Sequence, residues 1–162
     1  MSSNAWVVLI LAATGSSQAH AEQAKAKAQP MITGKAERAS LTNAQAWKIY
    51  ERYLEGWKDV SDEQRAKIAA EVIAENVQYV TPRHEWSGRA TMVEDMASFQ
   101  KRLPKGHIEI GDVSANHDVA LLTWVLVQAD GKVFARGHDQ LRVSPEGKII
   151  NLITFAPSAE KP

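Results

Sequence analysis

Cysteine is absent from all 162 residues. That removes disulfides, thiolate nucleophiles and cysteine-ligated metals, and it leaves stability to the core alone. An excess of either charge is absent too. The 19 basic residues stand against 19 acidic ones, for a formal net charge of zero. Such a chain has no basic field for nucleic acid and no acidic field for cationic partners. It contains no glycine-rich phosphate loop and no G-x-S-x-G nucleophile elbow. Its histidines are His20, His84, His107, His117 and His138, and no two fall at a familiar metal-ligand spacing. No metal and no cofactor is expected.

Long apolar runs are scarce outside one early segment and one late strand. AWVVLILAA, residues 5–13, is uninterrupted but shorter than the ~20 apolar residues that span a bilayer as a helix. TGSSQAHA follows, ending in Ala19-His20-Ala21. We read a secretory signal peptide, residues 1–21, cleaved at this A-x-A pattern after Ala21, although no Lys or Arg precedes the apolar run. The alternative is an uncleaved anchor. A periplasmic or secreted protein with no stable membrane span after cleavage is the expectation. Residues 22–40, rich in Ala, Lys and Gln, read as a flexible leader. A single domain is expected over residues 41–157, with a tail at 158–162.

Within that domain the periodicity changes from helical to alternating. Thr42 or Asn43 caps a predicted helix that places Trp47, Tyr50, Leu54 and Trp57 on one face. Ser61-Asp-Glu-Gln64 is a capping box for a second helix, with Ile68, Val72 and Ile73 inward. NVQYVT, residues 76–81, is a strand closed by Pro82, and RHEWSG is a loop. Residues 91–103 form a third helix with Met92, Met96, Phe99 and Leu103 in one stripe. Four antiparallel strands follow, joined by turns at Asn116-His117-Asp118, Asp130-Gly131 and Ser144–Gly147. VALLTWVLVQA is apolar enough to predict that both of its faces are covered. Helices and strands segregated in this order predict an α+β fold, a bent sheet packed against helices.

One strand carries an anomaly. In KVFARGHDQL, residues 132–141, alternation turns Val133, Ala135, Gly137, Asp139 and Leu141 inward. Asp139 is the one carboxylate in an otherwise small and apolar set. Burial should raise its pKa unless donors surround it. Ala135 and Gly137 supply no bulk, which predicts a cavity beside it. A proton-bearing carboxylic acid in a cavity can donate to a ligand oxygen. The plainer reading pairs Asp139 with Arg89, Arg142 or a backbone donor. Tyr53, on the first helix, can aim its phenol at the same cavity or serve as core. His84-Glu85-Trp86 is a polar loop cluster in which the His84 imidazole is a side chain able to take up a proton. It is a candidate base, or a solvated loop with Trp86 as a lid.

Three stretches carry a family resemblance. NVQYVTP with GRATMVEDMASF resembles a strand-loop-helix with a Gly-Arg helix start, here Gly88-Arg89. GHDQLRVSPEGKIINLITF resembles a closing hairpin, and ERYLEGWKDVSD the end of a first helix. Together they resemble the SnoaL-like and ketosteroid-isomerase-like branch of the nuclear transport factor 2-like superfamily. The resemblance implies a curved antiparallel sheet wrapped around three helices, cone-shaped, with an apolar internal pocket. It places Asp139 where ketosteroid isomerase has a protonated aspartic acid and, allowing one residue of length difference, Tyr53 where it has the oxyanion tyrosine. Thr81 falls at the general-base position, which a hydroxyl cannot fill at neutral pH. Trp57, Tyr79, Trp86, Met96, Phe99 and Trp124 are the implied ligand-binding set, with Asp139, Tyr53 and His84 the candidate catalytic residues. The expected partner is a small apolar molecule with a carbonyl or hydroxyl. Three readings stay open: proton transfer on a carbonyl compound, binding without catalysis, and a homodimeric interaction module using Arg136, His138 and Gln140 on the outer sheet face.

Overall fold

Two capping boxes set where the first helices start. The structure is a computed structural model and describes residues 40–157. The expected signal peptide at residues 1–21, the expected leader as far as residue 39 and the expected tail at 158–162 lie outside the described residues. Thr42 accepts the Gln45 amide at the start of α1 (Asn43–Glu55), and the Gln45 side chain bonds back to the Thr42 amide. Ser61 and Gln64 repeat this pair at α2 (Asp62–Val72). Each box satisfies two amides that the first turn leaves without partners. Gly88 precedes α3 (Arg89–Arg102) at a φ of 93°, a conformation that a Cβ disfavours. Arg89 then donates to the carbonyl of Ile73 at 3.0 Å, tying α3 to the chain just after α2.

The strands are β1 (Ile73–Val80), β2 (Glu85–Ser87), β3 (His107–Asn116), β4 (Val119–Val127), β5 (Val133–Val143) and β6 (Ile149–Phe155). They form one sheet in the order β2-β1-β6-β5-β4-β3. The last four make the expected meander, with turns at the expected places. Two details differ from expectation. The sheet is mixed, because β6 returns beside β1 and pairs with it in parallel. The loop RHEWSG contains β2, whose residues pair antiparallel with β1.

Register shifts interrupt the β1–β6, β3–β4, β4–β5 and β5–β6 pairings. An unpaired extra residue bends a strand and increases its twist, so shifts on four of the five pairings curve the sheet. The core lies between the sheet and the helices. It joins Tyr50, Leu54, Met92 and Met96 from helices to Val77, Leu122, Leu141 and Leu152 from strands. The start of α1 is held to the β3–β4 turn by Leu41 N–H to His117 O at 2.7 Å and Ala115 N–H to Asn43 Oδ1 at 2.8 Å. Among the described residues, no helix is long and apolar enough to cross a membrane.

Three side chains fall elsewhere than periodicity predicts. The inward face of α1 is Ala46, Tyr50, Tyr53 and Leu54, while Trp47 is 37% exposed. The apolar stripe is therefore rotated by about one residue from the one the large side chains suggest. Val133 is exposed because the β4–β5 register shifts between Leu126 and Val127, just where it pairs. Leu121 of β4 is 47% exposed, so the outer face of that strand is open within the described chain.

Candidate functional site

Alternation along β5 holds through its second half. Gly137, Asp139, Leu141 and Val143 are buried, and Arg136, His138 and Arg142 are exposed. Asp139 therefore points into the core and is 4% exposed. Its cross-strand neighbours are Leu122 on β4 and Thr154 on β6. Neither arginine of the plainer reading reaches it. Arg89 goes to the Ile73 carbonyl and Arg142 pairs with Asp118 at 2.7 Å.

Two uncharged donors hold the carboxyl group instead. The Tyr50 phenol donates to Oδ2 at 2.8 Å, and the Trp124 indole Nε1–H donates to Oδ1 at 2.9 Å. Trp124 reaches Asp139 because its β4–β5 partner is Gly137. A Cβ on Gly137 would collide with the Trp124 ring and with the Phe155 carbonyl. The space that Gly137 leaves is thus not empty, as the small side chains suggest, but filled by an indole. Tyr53, expected to aim its phenol at the cavity, is among the residues that line it, and the bond to Asp139 comes from Tyr50 one turn earlier. Both tyrosines lie on the buried face of α1, so only the placement of the helix against the sheet selects between them.

Beside this cluster lies a cavity of about 130 Å³. Tyr50, Tyr53, Trp57, Tyr79, Trp124 and Asp139 wall it, with Ile108, Leu126 and Thr154 completing the surface. Three of the six expected ligand-binding residues, Trp57, Tyr79 and Trp124, therefore line this cavity. The other three stand outside the wall. Phe99 packs edge-on against Trp57 with ring centroids 5.5 Å apart. Met96 is buried beside Gly56. Trp86 is half-buried, 5.4 Å from the Tyr79 ring. Tyr50, Ile108, Leu126 and Thr154 complete the cavity beyond the residues picked from sequence. For Tyr50 the available signal is the repeated tyrosine at i and i+3 on one helix; for Thr154 it is the register opposite Asp139.

Burial controls the acid–base behaviour here. It raises the pKa of Asp139 above the usual carboxylate value, while Tyr50, Thr154 and Trp124, with His138 nearby, pull against it. The phenols of Tyr50, Tyr53 and Tyr79 are all pushed up by burial first, with the charge of Asp139 adding to each. They stay protonated at neutral pH and act as donors, not bases.

The loop before β2 adds no base to the cavity wall. Thr81 Oγ1 accepts the amides of His84 at 3.1 Å and Arg83 at 3.3 Å, so its hydroxyl closes the turn. His84 and Glu85 are exposed, and the His84 ring stacks on Trp86 at 4.9 Å. A larger concavity of about 640 Å³ lies on the other side of β5, where Arg136, His138, Thr123 and Phe155 line it.

The SnoaL-like domain family profile matches residues 50–152, a span from Tyr50 past Asp139. Among solved structures, a SnoaL-like family protein from Agrobacterium tumefaciens, named as a candidate isomerase, is 24% identical with a TM-score of 0.66. The match covers 71% of this chain and 99% of that one. An NTF2-like protein of unknown function from Exiguobacterium is 17% identical, TM-score 0.56, over 68% of this chain and 99% of that one. A protein from Jannaschia named as a candidate SnoaL-like polyketide cyclase is 12% identical, TM-score 0.57, over 70% and 86%. At these identities the likeness establishes the fold. The comparison with curated proteins returned no match. The chain belongs to the SnoaL-like domain family.

Proposed function

We propose that this domain is exported and binds a small, mostly apolar molecule by its carbonyl or hydroxyl oxygen, with Asp139 exchanging a proton with that molecule. The observation that carries this reading is a buried carboxyl group of raised pKa, held by Tyr50 and Trp124 at the wall of an aromatic cavity. Apolar walls take up the hydrocarbon part of a ligand, and a few convergent polar groups orient its oxygen. Asp139 is the one carboxyl among the cavity-lining residues described, and Thr81 and His84 do not line it. It is thus the group placed to take a proton from a carbon next to a carbonyl and return it, while phenol donors hold the oxygen. Family relatives named for isomerase and cyclase chemistry fit the same reaction class. Export rests on the apolar run at residues 5–13 and the Ala19-His20-Ala21 pattern.

Cyclohex-2-enone and other enolisable ketones, incubated with the protein in D2O, test the reading. Exchange of α-protons above the buffer rate should appear and fall on the order of 100-fold in Asp139→Asn. Binding without exchange would leave a non-catalytic binding domain, and no binding across the ketones would remove the small-molecule reading. Mass spectrometry of the cell-envelope protein should find a chain starting at Glu22.

A further inference from the structure

The outer face of the sheet, away from the helices, is more apolar than a face meant only for solvent. Ile108, Leu122, Leu126 and Leu141 turn toward the core, so the residues between them on their strands turn outward. Leu121 on β4, Phe134 on β5 and Phe155 on β6 are among these, and the two phenylalanines are 63% and 55% exposed. Large apolar side chains gathered on one face, with polar groups around them, mark an association surface.

Charge on that face is sorted by strand. Cross-strand register puts Glu109, Val125 and Arg136 in one row, on β3, β4 and β5. Thr123 and His138 make the next row. Asp112 joins it from the β3 register shift, its amide bonded to Thr123 Oγ1 at 2.6 Å. The carboxylates therefore lie on β3 and the basic side chains on β5, with Val125 and Thr123 between them. Among the described residues Arg136, His138 and Asp112 form no ion pair, and Glu109 pairs with His107 on its own strand at 3.0 Å. Arg136, His138 and Asp112 also wall the concavity of about 640 Å³. A small anion there meets the Asp112 carboxylate, and a small cation meets the Arg136 guanidinium. A surface that carries both signs in the opposite order meets neither penalty.

We propose that a second copy of this chain covers this face, related to the first by a two-fold axis running along β4. Such an axis lays each β5 over the partner's β3. Arg136 then meets the partner's Glu109, and His138 meets the partner's Asp112. Symmetry forms each pair twice. Leu121 and Val125 fall on the axis and pack against their own counterparts. Strands of two sheets stacked face to face stay within about 30° of each other, so the rows remain in reach beside the axis. An axis across the strands instead lays β5 over β5 and sets its basic side chains against one another. Charge thus chooses between the two ways of stacking the sheets. This surface lies on the other side of β5 from Asp139, so the inference stands apart from the small-molecule reading.

Sedimentation equilibrium of the intact protein tests it. The wild type should sediment at twice the mass of one chain. Arg136→Glu and Glu109→Arg each set like charges across the interface and should each raise the dimer dissociation constant on the order of tenfold to 100-fold. Mixed in equal amounts, the two variants should return to wild-type dimerisation, because every such row of the mixed dimer again opposes unlike charges. Leu121→Glu, on the axis, sets two carboxylates against each other and should separate the chains without altering either charged row. All three positions are exposed, and circular dichroism with the urea midpoint checks that each variant is folded. A wild type that sediments at the mass of one chain overturns the proposal. So does a dimer indifferent to Leu121→Glu and to both charge reversals, because its interface lies elsewhere. Charge reversals that each weaken the dimer but do not rescue one another overturn the axis along β4.

Discussion

At the scale of single residues, the site is an acid held by uncharged donors. Tyr50 and Trp124 each engage one oxygen of Asp139, and no Lys or Arg among the described residues pairs with it. Tyr50→Phe leaves Oδ2 without that donor and should cost about 1–3 kcal/mol in urea unfolding at neutral pH. Tyr53→Phe removes a hydroxyl with no bond to Asp139 and should cost less; a larger loss for Tyr53 would refute the geometry. The raised pKa of Asp139 also has a sign. The folded state binds this proton more tightly than the unfolded chain does. The stability it contributes is complete below the unfolded carboxyl value, about 3.9, and is lost as pH rises through the higher folded value. Asp139→Asn does not titrate at this position. The stability of the wild-type protein relative to the variant should therefore decline between about pH 4 and neutrality. Paired urea titrations across that range measure it, and a difference that grows with pH would contradict the burial argument.

At the scale of elements, the site depends on what one strand omits. Gly137 lies under the Trp124 ring, and the absence of a side chain lets the indole from β4 reach a carboxyl on β5. Gly137→Ala should displace Trp124, break its bond to Asp139 and destabilise the fold by about 1–3 kcal/mol, as overpacking does. The Trp124 indole resonance and the unfolding midpoint report the two effects. This strand was largely legible beforehand: its alternation predicts Asp139 inward, and Asp139 is inward. The first helix was less so. Its caps and extent follow from Thr42 and the residues after it, yet of its aromatic residues Trp47 is exposed while Tyr50 and Tyr53 are buried. Periodicity drew the apolar stripe through Trp47, where the fold draws it through Ala46 and Tyr53. A small residue at the closest approach to the core carries little hydropathy signal.

At the scale of the whole molecule, ligand and fold are linked. A molecule bound within the core binds the folded chain and not the unfolded one, so at a hundred times its Kd it should add about 2.7 kcal/mol to unfolding. Thermal unfolding with increasing cyclohex-2-enone should show a rising midpoint for the wild type and a smaller rise for Asp139→Asn at equal concentration. Without cysteine, the domain has no covalent staple to mask this effect.

The order of helices and strands, the caps, the turns and the inward carboxylate are properties of neighbours in the chain, and local patterns suffice to read them. The parallel return of β6 to β1, the choice of Tyr50 over Tyr53 and the indole seated over Gly137 are not. Each depends on where residues far apart in sequence meet once the sheet has bent, and distance across a curved sheet leaves no period in the sequence.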